Sequence, residues 1–171
     1  IIQNNKDVLI ARGTGEKAGK RIEVGIQKSA GRTTVKLNGE AISKLSILAK
    51  EVPVQIITPN IQYLFEREPV FRRRLIDWGL FHVEHGYQEL SSRYRRTLIQ
   101  RNIAIRRNDS SFTAWDPELA RLCEKIDILR STYMDELFAK GTEIVANLLG
   151  TEHIAVHWKS GWDRELGILS A

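Results

Sequence analysis

Between Arg67 and Arg107 the chain carries ten arginines and no lysine, against four acids, Glu68, Asp77, Glu84 and Glu89. That stretch holds six surplus positive charges, one more than the net +5 of all 171 residues, so the remainder is slightly acidic. A guanidinium is planar, always charged and donates in a fork, which suits paired recognition of phosphate or carboxylate. A basic patch built this way points toward nucleic acid. Arg72, Arg73 and Arg74 are consecutive, so on a helix they fan around the cylinder and cannot share one face. They and Arg93, Arg96 and Arg101 are the candidate DNA-binding residues. A second destination exists for each: Asp77 lies within reach of the first run, and an acidic partner helix could take Arg95, Arg96 and Arg101.

Other chemistry is poorly supported. Gly13–Lys20 invites a nucleotide-loop reading, but that loop needs Gly, four residues, Gly-Lys and a hydroxyl residue. Here Thr14 stands at the first glycine's position and Arg21 follows Gly19-Lys20, so an exposed hairpin loop is expected. His82 and His85 do not form the helix-borne HExxH zinc pattern, and His153 and His157 lie in strand-like sequence. No metal site and no catalytic residue is expected. The single cysteine, Cys123, excludes an internal disulfide and suits a reducing, cytoplasmic setting; its helical context suggests a buried, inert thiol. No apolar run approaches the ~20 residues needed to span a bilayer. The first residue is Ile and the only methionine is Met134, so an internal piece of a longer protein is expected.

The elements that must position the arginines follow from periodicity. Residues 8–13, 21–28 and 33–39 read as short antiparallel strands, with Ile22, Val24 and Ile26 alternating against polar neighbours. Asn38-Gly39 fits a tight primed turn before Glu40. Ser43 is expected to cap a short helix with Leu45, Leu48 and Ala49 on its apolar side. Residues 52–58, VPVQIIT, read as an apolar strand covered on both faces. Asn60 starts a following helix. Pro69 suits the first position of the next one, with Phe71, Leu75 and Trp78 as its core stripe, widened by Ile76 and Leu80, and Gly79 ending or loosening it.

Residues 87–107 form a basic helix with Tyr87, Leu90, Tyr94, Leu98 and Ile105 near one face. NDSS at 108–111 breaks it. Asp116-Pro117-Glu118 starts a long acidic helix, with Asp116 as N-cap and Leu119, Leu122, Ile126, Leu129, Tyr133 and Leu137 at seam spacing. It runs to Gly150 over ~50 Å. A basic helix followed by an acidic one reads as an antiparallel hairpin. Residues 153–159 alternate as a returning strand.

The order of ITP at 57–59, Pro69, Arg72-Arg73, Asp77-Trp78-Gly79, Phe81-His82, Gln100-Arg101-Asn102 and Trp115-Asp116 resembles the RecF family. These are ATP-binding-cassette ATPases related to SMC-like heads, and the likeness covers roughly residues 7 to 171. It implies an α+β fold, part of an ABC-type ATPase head. Residues 1–58 would be the antiparallel sheet portion of the head, 59–151 the helical arm lobe and 152–171 a returning strand and exit.

The resemblance also implies a function. The parent would be an ATP-dependent DNA clamp for gap repair, replication restart and RecA loading with RecO and RecR. It would act at single-strand/double-strand junctions as an ATP-dependent homodimer, with ATP and magnesium as cofactors and weak DNA-stimulated hydrolysis. Walker A, signature and Walker B motifs are absent from these residues, so the piece alone should bind no cofactor and hydrolyse no ATP. In such heads the strand-to-helix junction carries a nucleotide-sensing glutamine. This chain places Thr58 near that position and Asn60 where the family usually has Glu; the same pair reads equally as a helix cap. The alternative function is a non-catalytic helical module that binds a protein partner without direct DNA contact, with Trp115 as a natural anchor.

Overall fold

A computed structural model describes residues 6–56, 58–59, 66, 68–150 and 155–170. The chain packs as two units, residues 1–59 and 60–171.

In the first unit four antiparallel strands follow one another, β1 (Val8–Lys17), β2 (Lys20–Ser29), β3 (Arg32–Leu37) and β4 (Glu40–Ala41). The first hairpin is longer than the sequence suggests: pairing runs from Val8↔Ser29 to Lys17↔Lys20. Only Ala18 and Gly19 remain as the turn, both with positive φ. The expected loop at 13–20 is therefore mostly ladder, because a primed two-residue turn matches the right-handed twist and lets the strands zip to their ends. Asn38-Gly39 turns β3 into β4 as expected, with φ of 50° and 88°. The Asn38 Oδ1 accepts the Glu23 backbone N–H at 2.8 Å, tying that turn to β2. Ile22 and Val35 are the buried residues of the sheet.

Helix α1 spans Leu45–Glu51 and starts from Lys44 without a side-chain cap, so Ser43 does not cap it. Lys17 Nζ instead secures its other end, donating to the Lys50 carbonyl at 2.8 Å and to Glu51 at 3.2 Å. Terminal carbonyls of a helix have no partner within it, and a cation satisfies them well. Leu45 is exposed, leaving Leu48 and Ala49 as the half-buried side.

The expected apolar strand at 52–58 is not found among its described residues: 52–56 and Thr58 join no ladder, and Val54 and Ile56 are exposed. A mostly apolar run such as this, interrupted only by Gln55 before Thr58, signals a wish to be covered but names no partner. Pro53, with no N–H to donate, further weakens pairing.

The second unit is helical: α2 (Pro69–Val83), α3 (Tyr87–Arg106), a 3-10 turn (Ser110–Trp115) and α4 (Asp116–Leu149). Pro69 begins α2 as its missing N–H predicts. The core joins Ile76 and Leu80 of α2, Tyr87 of α3 and Ile126 of α4, with Leu90, Tyr94, Leu129, Tyr133 and Trp158 packed around them. Leu122 is fully buried.

Three expectations are corrected here. The buried face of α2 is Ile76, Gly79 and Leu80, whereas Leu75 and Trp78 are exposed. Gly79 does not end the helix; it sits where α2 meets α4, and a Cβ there would lie 2.1 Å from the Tyr133 hydroxyl. Asp116 is the first residue of α4, and its N-cap is Trp115.

The described part of the returning segment, 155–159, is not a strand. It is fastened by side chains to a buried carboxylate. Asp127, 4% exposed, accepts from Trp158 Nε1 at 2.6 Å, Ser160 Oγ at 2.9 Å and Arg164 Nε at 2.8 Å. A carboxylate this buried requires such partners, and here three side chains supply them.

Candidate nucleic-acid interface

The arginines divide by what lies beside them. Arg72, Arg73 and Arg74 all reach the surface of α2, and Arg74 lies 5.7 Å above the Phe71 ring. Among the described residues, neither Arg73 nor Arg74 pairs with Asp77. Arg130 of α4 does, through a bidentate contact with Nε and Nη2 each 2.8 Å from the carboxylate oxygens. The Tyr87 hydroxyl donates to the same carboxylate. Burial, then the bond to Asp77, raises the Tyr87 pKa well above that of free tyrosine. One carboxylate thus joins α2, α3 and α4. Because Arg130 completes that partnership, the α2 arginines are left on the surface.

On the hairpin, Arg93 pairs with Glu118 at 2.7 Å, and Arg101 pairs with Asp116. Arg101 also lies 5.6 Å from the Phe112 ring. These are the cross-hairpin pairs that the opposite charges of the two helices foreshadow, with Arg93 in place of the expected Arg95 or Arg96. Arg95 and Arg96 are exposed and make no ion pair among the described residues. Half-exposed pairs of this kind add little stability, but they fix which residues face each other.

Sequence reasoning singled out neither Arg121 nor Lys125, which lie in the helix that reads as acidic. Arg121 donates twice to Glu118 at 2.9 Å, so a single carboxylate bridges Arg93 and Arg121. Arg121's guanidinium, then Arg93's, holds the Glu118 carboxyl below the usual range. The i,i+3 spacing of Glu118 and Arg121 was the available signal.

Of the junction residues, Thr58 is exposed and Asn60 lies outside the described residues. Trp115, at the foot of α4, is 37% exposed. Cys123 is half-buried, and burial pushes its thiol pKa up. Among the described residues no group of His, Cys, Asp or Glu could hold a metal ion, and no helix is long and apolar enough to cross a membrane.

The four-stranded antiparallel sheet and the helical arm give an α+β fold that solved structures share. The solved structure titled as the recombination mediator RecF with ATP in the RecFOR pathway matches 95% of this chain and 48% of its own length, with a TM-score of 0.73 at 16% identity. A second structure, titled as RecF with ATPrS, matches 85% of this chain at a TM-score of 0.70.

Sequence carries the relationship further. The DNA replication and repair protein RecF of Aliivibrio fischeri is 39% identical over 171 aligned positions, and that of Erwinia tasmaniensis 35% over 168. Each match covers 96% of this chain, and 47% and 46% of the respective relative. No protein-family model matches the chain. Along nearly all of its length the chain is similar to RecF proteins, and it spans about half the length of the curated relatives it matches.

Proposed function

We propose that this chain is the sheet-and-arm region of a RecF-type recombination mediator. The whole protein would be an ABC-type ATPase that closes on DNA as an ATP-dependent homodimer. It would act at single-strand/double-strand junctions in the cytoplasm and load RecA with RecO and RecR, in gap repair and replication restart. The observation that carries this reading is the 35–39% identity to RecF proteins along 96% of the chain.

Within that role the arm supplies phosphate contacts through Arg72, Arg73, Arg74 and Arg96, all of them exposed. Arg93 and Arg101 contribute more to fixing the hairpin. Thr58 and Asn60 would stand at the nucleotide-sensing junction. ATP and magnesium would be held by parts of the protein beyond these residues. In this reading these residues would supply no catalytic group.

DNA binding by the whole protein, with and without ATP and magnesium, tests the reading. ATP-dependent retention of a gapped duplex is the expected result. Equal binding with and without nucleotide would refute the clamp. A second reading, a protein-docking arm, is favoured only by the exposed Trp115 at the hairpin end. It predicts that Trp115→Ala abolishes partner capture while leaving DNA affinity intact.

A further inference from the structure

A surface cleft of about 220 Å³ lies between the start of α3 and the second turn of α4. Leu90 and Leu122 contribute its apolar lining, Arg93, Arg121 and Lys125 bring three cations to it, and Glu89 is the one acid in its wall. Glu118 stands beside it, bridging Arg93 and Arg121. Lys125 makes no ion pair among the described residues. Counting Glu118, three cations meet two acids, so the cleft keeps a positive surplus.

We infer that this cleft takes one phosphodiester of a nucleic-acid backbone, bound by Arg93, Arg121 and Lys125 in competition with Glu118. The inference rests on the DNA-binding reading above and names a contact site beyond the exposed arginines. Size favours it. The volume lies below the ~300–1,000 Å³ typical of sites that enclose a whole small molecule, so the cleft suits a group on a chain passing over the surface. Donor geometry favours it as well. The two guanidinium groups already converge on one anion, and a phosphate could accept from both while also reaching the ammonium that the carboxylate leaves unpaired.

Glu118 is then a resident competitor. Its side chain is 35% exposed, so it can swing into water when a phosphate takes its arginines. The cleft would be filled by an internal anion when the arm is free and by backbone phosphate when DNA lies along it. This arrangement makes an unusual demand of sign: deleting the acid should tighten DNA binding, although it removes two ion pairs.

The test uses the whole protein and a single-stranded oligothymidylate probe, with affinity measured over a salt series. Glu118→Gln is expected to tighten binding by about three- to tenfold at low salt, the size of one charge-assisted contact. Glu124→Gln makes the same charge change on an exposed part of the same helix outside the cleft, and should tighten binding less than twofold. Arg121→Gln and Lys125→Gln should each weaken binding and lower the salt slope by ~0.7, the single-strand value per phosphate. Lys125→Gln breaks no ion pair among the described residues, so it reports on the cleft even if Arg121→Gln disturbs the hairpin.

Equal effects of Glu118→Gln and Glu124→Gln, or an unchanged slope in Lys125→Gln, would overturn the inference while leaving DNA binding by the arm in place. Stronger competition from an oligoglutamate peptide than from unlabelled oligothymidylate would assign the cleft to an acidic protein segment and overturn it too. Failure of the unaltered protein to bind any DNA would remove both this site and the reading on which it rests.

Discussion

Replacing Gly79 with alanine sets two physical effects of opposite sign against each other. Within a helix, alanine is favoured over glycine by about 1 kcal/mol because the unfolded glycine has more freedom to lose. Gly79 lies inside α2 with no positive φ, so backbone conformation offers no objection. Packing does. The new Cβ would sit 2.1 Å from the Tyr133 hydroxyl oxygen, 2.5 Å from Cζ and 2.9 Å from Cε1. Ordinary contact needs about 3.5 Å or more, so the ring must move by more than about 1 Å. Overpacking of this kind costs about 1–3 kcal/mol, and here several atoms of a stiff ring must yield rather than one flexible tip.

Packing should therefore win, with Gly79→Ala destabilising the helical unit by up to about 2 kcal/mol net of propensity. Urea denaturation followed by far-ultraviolet circular dichroism gives the value. The companion variant Tyr133→Ala removes the obstruction, and in that background Gly79→Ala should become neutral or stabilising. A stabilising Gly79→Ala in the otherwise unaltered chain would refute the close approach of α2 to α4.

Other consequences can be measured in the same way. Ile126, 5% exposed in the core, should cost about 2–5 kcal/mol when cut to alanine, whereas exposed Glu124→Gln should cost under about 0.5 kcal/mol; equal shifts in the denaturant midpoint would mean the seam is misplaced. Tyr87 has a folded pKa raised above its unfolded value of ~10, so its contribution is complete below that pH and is lost as pH rises toward the folded value. Unfolding free energy should accordingly fall above about pH 10, and Tyr87→Phe should flatten that decline. An identical alkaline slope in both proteins would contradict the buried bond to Asp77.

What could be read from the chain was what neighbouring residues decide. The strand alternation around Ile22, the Asn38-Gly39 turn, Pro69 at a helix start and the hairpin of a basic and an acidic helix all follow from local rules. Leu122 and Ile126 stood out because three- and four-residue spacing marks a seam. Contacts set by distant partners were less visible. The α2 stripe was drawn through its largest residues, yet the interface uses Gly79, a residue no hydrophobic pattern can flag. Asp77 had three arginines close in sequence and takes Arg130, 53 positions away. Residues 153–159 look like a strand from their alternation, but the described part, 155–159, joins no ladder, and Trp158 ties it to Asp127 instead. The basic character of residues 67–107 was plain; which arginines pair with Glu118 and Asp116 was a question of register.

The central claim is that exposed arginines of the arm bind the DNA backbone. It is tested most directly by a salt series of duplex affinities, in the whole protein with ATP, for unaltered protein and for Arg73→Gln, Arg74→Gln, Arg96→Gln and Arg101→Gln. Each phosphate contact releases counterions and contributes about 0.9 to the slope of log affinity against log salt. At least one of the three exposed variants should lose about one unit of slope, with no change in sequence preference, because backbone contacts carry no base information. Arg101→Gln should leave the slope unchanged, since its guanidinium is held by Asp116. Slopes that coincide across all the variants, together with lost binding to a protein partner, would contradict the claim and make the arm a protein-docking element.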